Sequence, residues 1–208
     1  LCAQLKGDII TELCREKAEG ALSREMGKEI LIRIDKNNSD GRGASYAAHE
    51  NYSLRSKTFY NLVGRFNKKR FSLRPRQFKE EMGILAHFTL LFFVARQILT
   101  GSGKVGSEFG AEVPFQISQR ADFMRAVASI TTTVERGIIN LRDHSYTDKS
   151  GLSRFHVIVG DSNLSHISLY LKFGVSALFF MMLDDGFLEK DASDLLLTPL
   201  KNPVHELW

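Results

Sequence analysis

The chain has 208 residues, of which 43% are hydrophobic and 25% are charged, and its formal net charge is +4. This composition excludes an intrinsically disordered chain and allows one domain or one large part of a bigger one. Two cysteines without a CxxC pair exclude a disulfide framework and a cysteine-based zinc site, and they favour a reducing cytoplasm.

The first third of the chain predicts one helix followed by two strands. Hydrophobic spacing indicates a helix over residues 9–21 and does not resemble a signal peptide. Residues 28–34 alternate, with Ile30, Ile32 and Ile34 on one face, which is typical of a strand. Turn residues over 36–45 then lead into a second predicted strand at 45–54.

The rest of the chain predicts a buried helix, three strands and a long helix. Residues 83–100 are the most apolar stretch, but they carry His87, Arg96 and Gln97, so we expect a buried helix over 83–99 and no membrane span. The further expected elements are strands at 115–123, 137–142 and 154–160 and a helix at 165–183. Paired strands with helices between them indicate an α+β fold, an antiparallel sheet covered by helices.

Positive charge is concentrated in residues 53–82, a basic segment with nine Lys/Arg and two Asp/Glu. The first interpretation is a solvated loop or helix, and the second is a docking site for an acidic partner. Its interleaved phenylalanines also allow single-stranded nucleic-acid binding. That alternative is the least favoured, because the other residues together are net acidic.

A first polar cluster ends the second predicted strand. His49 and Asn51 point to one face and Glu50 and Tyr52 to the other, since strand side chains alternate. An imidazole beside an amide could ligate a hard cation and a phosphate oxygen together. The competing interpretation makes His49 a core histidine and Glu50 a surface charge.

Two further polar clusters follow later strands. Ser118 and Arg120 share one face of the 115–123 strand, where Arg120 could bind a phosphate or carboxylate, or contact Asp122 structurally. Asn140 and Arg142 share a face of the next strand, and His156 lies on the strand after it. Beyond His156, either Asp161 or Ser162 could cap the long helix.

Together the clusters hold two arginines, two histidines and several carboxylates, which suits binding of a nucleoside triphosphate with metal ions. The sequence has no GxxxxGK[ST] loop and no GxGxxG after a predicted strand. A bound nucleotide is therefore expected on a sheet surface.

Five ordered motifs resemble the Pup ligase and Pup deamidase/depupylase family. They are KNNSDGRGASYAAHENY at 36–52, ARQILTGSGKVG at 95–106, SQRAD at 118–122, RGIINLRD at 136–143 and FHVIVGDSN at 155–163. The GASY and GSGKVG motifs resemble the deamidase branch more than the ligase branch.

The resemblance implies a glutamine-synthetase-like fold and an ATP- and Mg²⁺-dependent enzyme acting on the terminal Gln/Glu side chain or the isopeptide bond of Pup. Pup, an acidic ubiquitin-like modifier, and pupylated proteins would be the partners. It also implies roles for six residues. His49 would bind the metal; Asn51, Ser118, Arg120 and Arg142 would bind the cofactor; Arg120, Arg142 and His156 would be catalytic.

The resemblance further implies an incomplete chain, with residues 1–208 forming the central part of a large catalytic domain and residues 53–82 a basic insertion. The family's metal-binding glutamates and catalytic aspartate precede the part matched here, and residues 144–148 depart from the family pattern. A Pup–protein ligase and an inactive Pup- or nucleotide-binding remnant therefore stay open as alternatives.

Overall fold

The structure, a computed structural model, describes residues 2–46, 48–63, 72–73, 84–110, 112–142, 151–187, 200 and 204–205. Its helices are α1 (Cys2–Met26), α2 (Ser56–Val63), α3 (Ile84–Ala95), α4 (Gln97–Thr100) and α5 (His166–Asp184). Its strands are β1 (Glu50–Arg55), β2 (Ser72–Leu73), β3 (Lys104–Val105), β4 (Phe115–Gln116), β5 (Met124–Ser129), β6 (Arg136–Asn140) and β7 (Leu152–Val157).

Five strands form the main sheet in the order β1-β7-β6-β5-β2, while β3 and β4 form a separate hairpin. The neighbours β1/β7, β7/β6 and β5/β2 are antiparallel, and β5/β6 is parallel. The α+β prediction of a mainly antiparallel sheet with helices is confirmed, with this one parallel pair added.

One face of the sheet carries the hydrophobic core. Leu54, Phe155, Val157 and Ile139 are buried there, beneath helices α2, α3 and α5. Aromatic rings fill much of the space, with Phe93 stacked on Phe155 at a centroid distance of 6.0 Å. This packing fixes the strands relative to one another, so side chains on the opposite face of the sheet also have fixed positions.

Helix α5 begins after Ser165, whose hydroxyl accepts a hydrogen bond from the Ser168 amide at 3.5 Å. The prediction that Asp161 or Ser162 caps this helix is therefore wrong. By length and composition alone α5 could cross a membrane. One of its sides packs on the protein through Lys172, Ser176, Phe180 and Leu183.

One predicted strand does not form, and the boundaries of two others are wrong. Residues 28–34 form no strand and lie beside α1, where the amides of Ile30 and Ile32 donate to Ser23 and Glu19 side chains. The second strand begins at Glu50 and not at residue 45. Only Phe115–Gln116 of the 115–123 prediction is strand, and Ala121–Phe123 is a 3₁₀ turn before the unpredicted strand β5.

The predicted helix at 83–99 is formed as α3 and α4. In the basic segment 53–82, residues 53–63 complete β1 and form α2, and 72–73 form β2. The rest of that segment lies outside the described residues, as does 143–150. The interpretation of 53–82 as an insertion thus stays a prediction.

Candidate functional site

A row of polar side chains crosses the sheet on the face opposite the core. Asn51 on β1 pairs with His156 on β7, His156 with Asn140 on β6, and Asn140 with Ser129 on β5. Partners directly opposite in a sheet project from the same face, so these four side chains form one line. His49 and Asn51 lie on the same face, as predicted, because both are next to His156.

The two histidines contact each other directly. His49 Nδ1 lies 3.1 Å from His156 Nε2, and the ring centroids are 5.0 Å apart. His49 is exposed, whereas His156 is 3% exposed. The competing interpretation of His49 as a core histidine is therefore wrong, and His156 forms the floor of the site.

Both histidines are held in their neutral form. Burial lowers the pKa of His156 to about 4, and the charges of Arg154 and Arg142 and the neighbouring His49 ring act in the same direction. Loss of water, followed by the charges of Arg120, Arg154 and Arg136, lowers the pKa of His49. Neutral imidazole is the form that binds metal ions or accepts a proton.

Four arginines therefore surround the histidine pair and give the site a positive potential. Arg154 Nε donates to Asn51 Oδ1 at 2.6 Å, and Arg136 Nη2 donates to the Ser45 carbonyl at 3.5 Å. The Arg142 amide donates to Asn140 Oδ1 at 3.0 Å, just beyond the end of β6. Such a group of guanidiniums suits a phosphate or carboxylate ligand.

Arg120 is anchored more deeply than the other three arginines. It is 1% exposed, its Nη1 donates to the Ile158 carbonyl, and its Nε donates to Ser45 Oγ at 3.1 Å. Burial and the nearby Arg136 charge lower the pKa of Arg120 to about 10, against the opposing effect of Asp161. The alternative contact with Asp122 is wrong, since Asp122 pairs with Lys104.

A buried ion pair lies under the histidines. Glu50 accepts from Arg96 Nη1 at 2.7 Å and from Nη2 at 2.8 Å, and both side chains are at most 1% exposed. Tyr52 Oη donates to Glu50 Oε2 at 2.5 Å. Glu50 is thus a buried paired group, and the interpretation of it as a surface charge is wrong.

A cleft of about 270 Å³ opens beside His49. Among the residues that line it are Gln4, Lys36, His49, Ser162, Asn163 and Lys172. The cleft is bounded by α1 on one side and by the start of α5 on the other.

The donor set fits one nitrogen ligand of a magnesium site. Nδ1 of His49 faces His156, so Nε2 is the atom of His49 that could bind a metal, while His156 Nδ1 is buried and has no hydrogen-bond partner among the described residues. The described part of the chain has no group of three His, Cys, Asp or Glu side chains placed for a metal. Mg²⁺ prefers oxygen, so its other ligands would come from phosphate, water or residues beyond those described.

Of the predicted site residues, the structure brings His49, Asn51, His156 and Arg120 together. Arg142 lies just beyond the end of β6, and its charge helps to lower the pKa of His156. Ser118 lies behind Arg120, with its hydroxyl donating to Asp161 Oδ1 at 2.9 Å. The functional roles of these residues stay predictions.

Sequence reasoning missed Arg136 and Arg154. Arg136 opens the RGIINLRD motif and Arg154 immediately precedes FHVIVGDSN. Arg154 precedes His156 by two positions on a predicted strand, so period-2 alternation was the available signal. No local pattern pointed to Arg136, which reaches the site because β6 lies beside β7.

A profile of the Pup-ligase protein family matches residues 2–208. The chain is 39% identical to a Pup deamidase/depupylase of Mycolicibacterium smegmatis, over 98% of this chain and 36% of the relative. It is 40% identical to a Pup–protein ligase of Micrococcus luteus, over 87% of this chain and 35% of the relative. The chain therefore spans about a third of the length of these relatives.

Solved structures give the same result. The Pup ligase PafA in complex with ADP matches with a TM-score of 0.65 and 30% identity, over 97% of this chain and 38% of PafA. The complex between Pup and its ligase PafA matches with a TM-score of 0.65 and 28% identity. The predicted glutamine-synthetase-like fold is confirmed by the PafA match.

Proposed function

This chain belongs to the Pup-ligase protein family, and from that premise we propose that it is part of an ATP- and Mg²⁺-dependent Pup deamidase/depupylase. The reaction would hydrolyse the terminal Gln side chain of Pup or the isopeptide bond between Pup and a target lysine. Similarity to a Pup deamidase/depupylase over 98% of the chain supports this choice, as do the GASY and GSGKVG motifs. A Pup–protein ligase is the second candidate, since a ligase relative is 40% identical.

The observation that carries the proposal is the neutral histidine pair placed among four arginines. In our assignment Arg120 and Arg142 hold nucleotide phosphates or the Pup carboxylate, and Arg136 and Arg154 add to the same positive field. Asn51 and Ser118 are assigned to cofactor binding, Asn51 from the open face and Ser118 through the loop that carries Arg120. The ADP bound to PafA supports a nucleotide as the ligand.

His49 is assigned as a magnesium ligand and His156 as a catalytic group beside it. The metal would neutralise charge that develops on phosphate and acyl oxygens. His156 is neutral near pH 7 and its Nε2 contacts His49 Nδ1, so it can orient the His49 ring.

Pup and pupylated proteins are the proposed partners, supported by the structure of Pup with PafA. An acidic modifier is attracted to the arginine-lined face and to the basic segment 53–82. The cytoplasm is the proposed compartment, which fits two free and exposed cysteines.

A binding role without turnover is the remaining candidate. It is favoured by one observation, the lack of a carboxylate cluster for metal ions among the described residues. Such a protein would bind Mg²⁺·ADP or Pup through the arginines and leave a Pup conjugate unchanged.

The test incubates the purified chain with Mg²⁺·ATP and a Pup-conjugated protein and follows release of free Pup by gel shift. Release of free Pup would support the proposal, and Arg142→Ala should then slow it 10²–10³-fold, about 2.7–4 kcal/mol by comparison with oxyanion-hole donors. Arg33→Ala is the matched control, since Arg33 is an exposed arginine with an 88% exposed side chain. Full activity in Arg142→Ala contradicts the residue assignment, and nucleotide binding without release supports the binding role.

A further inference from the structure

Several elements meet at residues 160–162, an irregular connection between β7 and α5 that we name the 160–162 turn. Asp161 in this turn is 0% exposed. Its carboxylate accepts hydrogen bonds from Ser118 Oγ at 2.9 Å, the Ser102 amide at 2.9 Å and the Gln119 amide at 3.0 Å. The turn therefore fixes both the loop after α4 and the loop that carries Arg120.

Two buried cations hold the main chain of this turn. Arg120 Nη1 donates to the carbonyls of Ile158 and Gly160, the latter at 3.5 Å. Lys172 Nζ, from the first half of α5, donates to the Asp161 carbonyl. The turn is thus bound from the Arg120 loop on one side and from α5 on the other.

Burial of the charged Lys172 side chain is energetically unfavourable. It is 0% exposed, and burial lowers its pKa to about 8 even though Glu50 and Asp161 lie nearby. Lysine is rarely fully buried unless paired, and an apolar residue would suit a helix with such an apolar body. A helix-packing role alone does not account for a lysine here, whereas a hydrogen bond to the turn does.

Lys172 also connects to the ion pair beneath the histidines. Ser176 Oγ donates to the Lys172 carbonyl at 2.6 Å and accepts from Arg96 Nη1 at 2.7 Å. Gly160 lies directly over that pair, since a Cβ there would come within 2.5 Å of Glu50 Oε1. The 160–162 turn is therefore in contact with the Glu50–Arg96 pair as well as with Arg120 and Lys172.

We propose that Lys172 is a positioning residue, which fixes the 160–162 turn through the Asp161 carbonyl and thereby places the loop 118–120 and the Arg120 guanidinium. The proposal rests on the proposed function for its consequence in nucleotide binding. Its structural part, the placement of the loop, stands on the contacts alone.

The test compares Lys172→Met with Lys17→Met, the same substitution at an exposed lysine of α1. Amide hydrogen exchange by NMR is measured in each folded chain. Removal of the Lys172 bond should loosen the Asp161 carboxylate, so the Ser102 and Gln119 amides should exchange at least tenfold faster. Amides of Ile139 and Val157 in the sheet should keep the wild-type rate, and Lys17→Met should change none of them.

A second readout is the affinity for a fluorescent ADP analogue with Mg²⁺, measured by anisotropy. Lys172→Met should raise the Kd at least tenfold, and Lys172→Gln, which keeps a shorter donor, should restore part of the affinity. A wild-type chain that does not bind the analogue would contradict the proposed nucleotide site, while the exchange experiment would still decide the role of Lys172.

Unchanged exchange at Ser102 and Gln119 would overturn the proposal, and so would an equal acceleration of every amide, which indicates core packing alone. If Lys172→Met does not fold, Lys172→Gln gives the same decision: selective acceleration supports the proposal and uniform acceleration overturns it. Failure of both variants to fold would also overturn it, since Lys172 would then determine the whole core.

Discussion

The Asp122 carboxylate is a single buried group with four donors around it. Lys104 Nζ lies 2.7 Å away, the Gln116 side chain and Ser107 hydroxyl each 2.8 Å, and the Glu108 amide 2.9 Å. Burial alone would raise the pKa of Asp122, but Lys104, the Glu108 amide and the other donors outweigh it and lower the pKa. The ionised Asp122 carboxylate therefore stabilises the segment 104–108 more strongly than the protonated group would.

This arrangement predicts a pH-dependent contribution to stability. The native pKa lies below the unfolded value of about 3.9, so the contribution is complete above about pH 4 and is lost as pH falls through the native pKa. At pH 7, Asp122→Asn should lower the free energy of unfolding by about 1–3 kcal/mol. Urea titrations from pH 7 to pH 2.5 should show the difference from wild type shrinking below pH 4.

The control for this experiment is Asp35→Asn, at an aspartate whose side chain is 59% exposed. It should change the free energy of unfolding by less than about 0.5 kcal/mol at every pH. A gap between wild type and Asp122→Asn that is the same at pH 3 as at pH 7 would contradict the prediction.

At the scale of elements, sequence periodicity predicted the helices and strands that pack in the core. It failed where a strand also needs a neighbouring strand to pair with. Strands β6 and β7 and helix α5 have strong apolar patterns and were predicted within a few residues. Residues 28–34 alternate equally well, yet they have no neighbouring strand among the described residues, and α1 side chains take two of their amides. Strand β5 was missed because MRAVAS is mostly small and apolar, without clear alternation.

The loop after α4 depends on a close approach of two backbones. A Cβ on Gly101 would lie 2.3 Å from the Ile117 carbonyl oxygen and 2.7 Å from the Gln97 carbonyl oxygen. Gly101→Ala should therefore lower the free energy of unfolding by about 1–3 kcal/mol, as in overpacked cores, when measured by urea denaturation.

The matched control is Gly7→Ala in α1, where nothing lies within 4 Å of the added methyl group. Alanine is about 1 kcal/mol more favourable than glycine inside a helix, so far-UV circular dichroism should show equal or greater helicity. Equal stability of Gly101→Ala and wild type would mean that the 101 and 117 backbones separate at little cost.

At the scale of the whole molecule, the site is assembled from residues distant in sequence. His49 and His156 meet because β1 lies beside β7, and Arg120 joins them through the turn at 160–162. The motifs identified most of these residues, but which side chains point to the ligand depends on tertiary packing. Ser118 shows this limit, since it is buried and its hydroxyl donates to Asp161.

The outer side of α5 leaves large apolar side chains in water. Ile167 is 73% exposed, Tyr170 63%, Leu178 62% and Met181 60%. Apolar patches of this kind favour association, so the isolated chain should self-associate at high concentration. Leu178→Lys should shift the sedimentation-velocity distribution towards monomer without loss of stability.

Thr133→Lys adds the same charge at an exposed position away from α5 and should leave the distribution unchanged. Equal sedimentation of wild type and Leu178→Lys at all concentrations would show that this side of α5 does not mediate association.

Helix α1 forms one wall of the cleft beside His49, yet none of its residues is buried. It is linked to the rest of the protein by contacts such as the Lys36–Asp8 ion pair at 2.7 Å, which is partly exposed and worth little in water. Few contacts therefore hold this wall of the cleft in place, and they are mostly exposed to water. A ligand in the cleft would then be retained by the side chains of the sheet and of the 160–162 segment, with little contribution from α1.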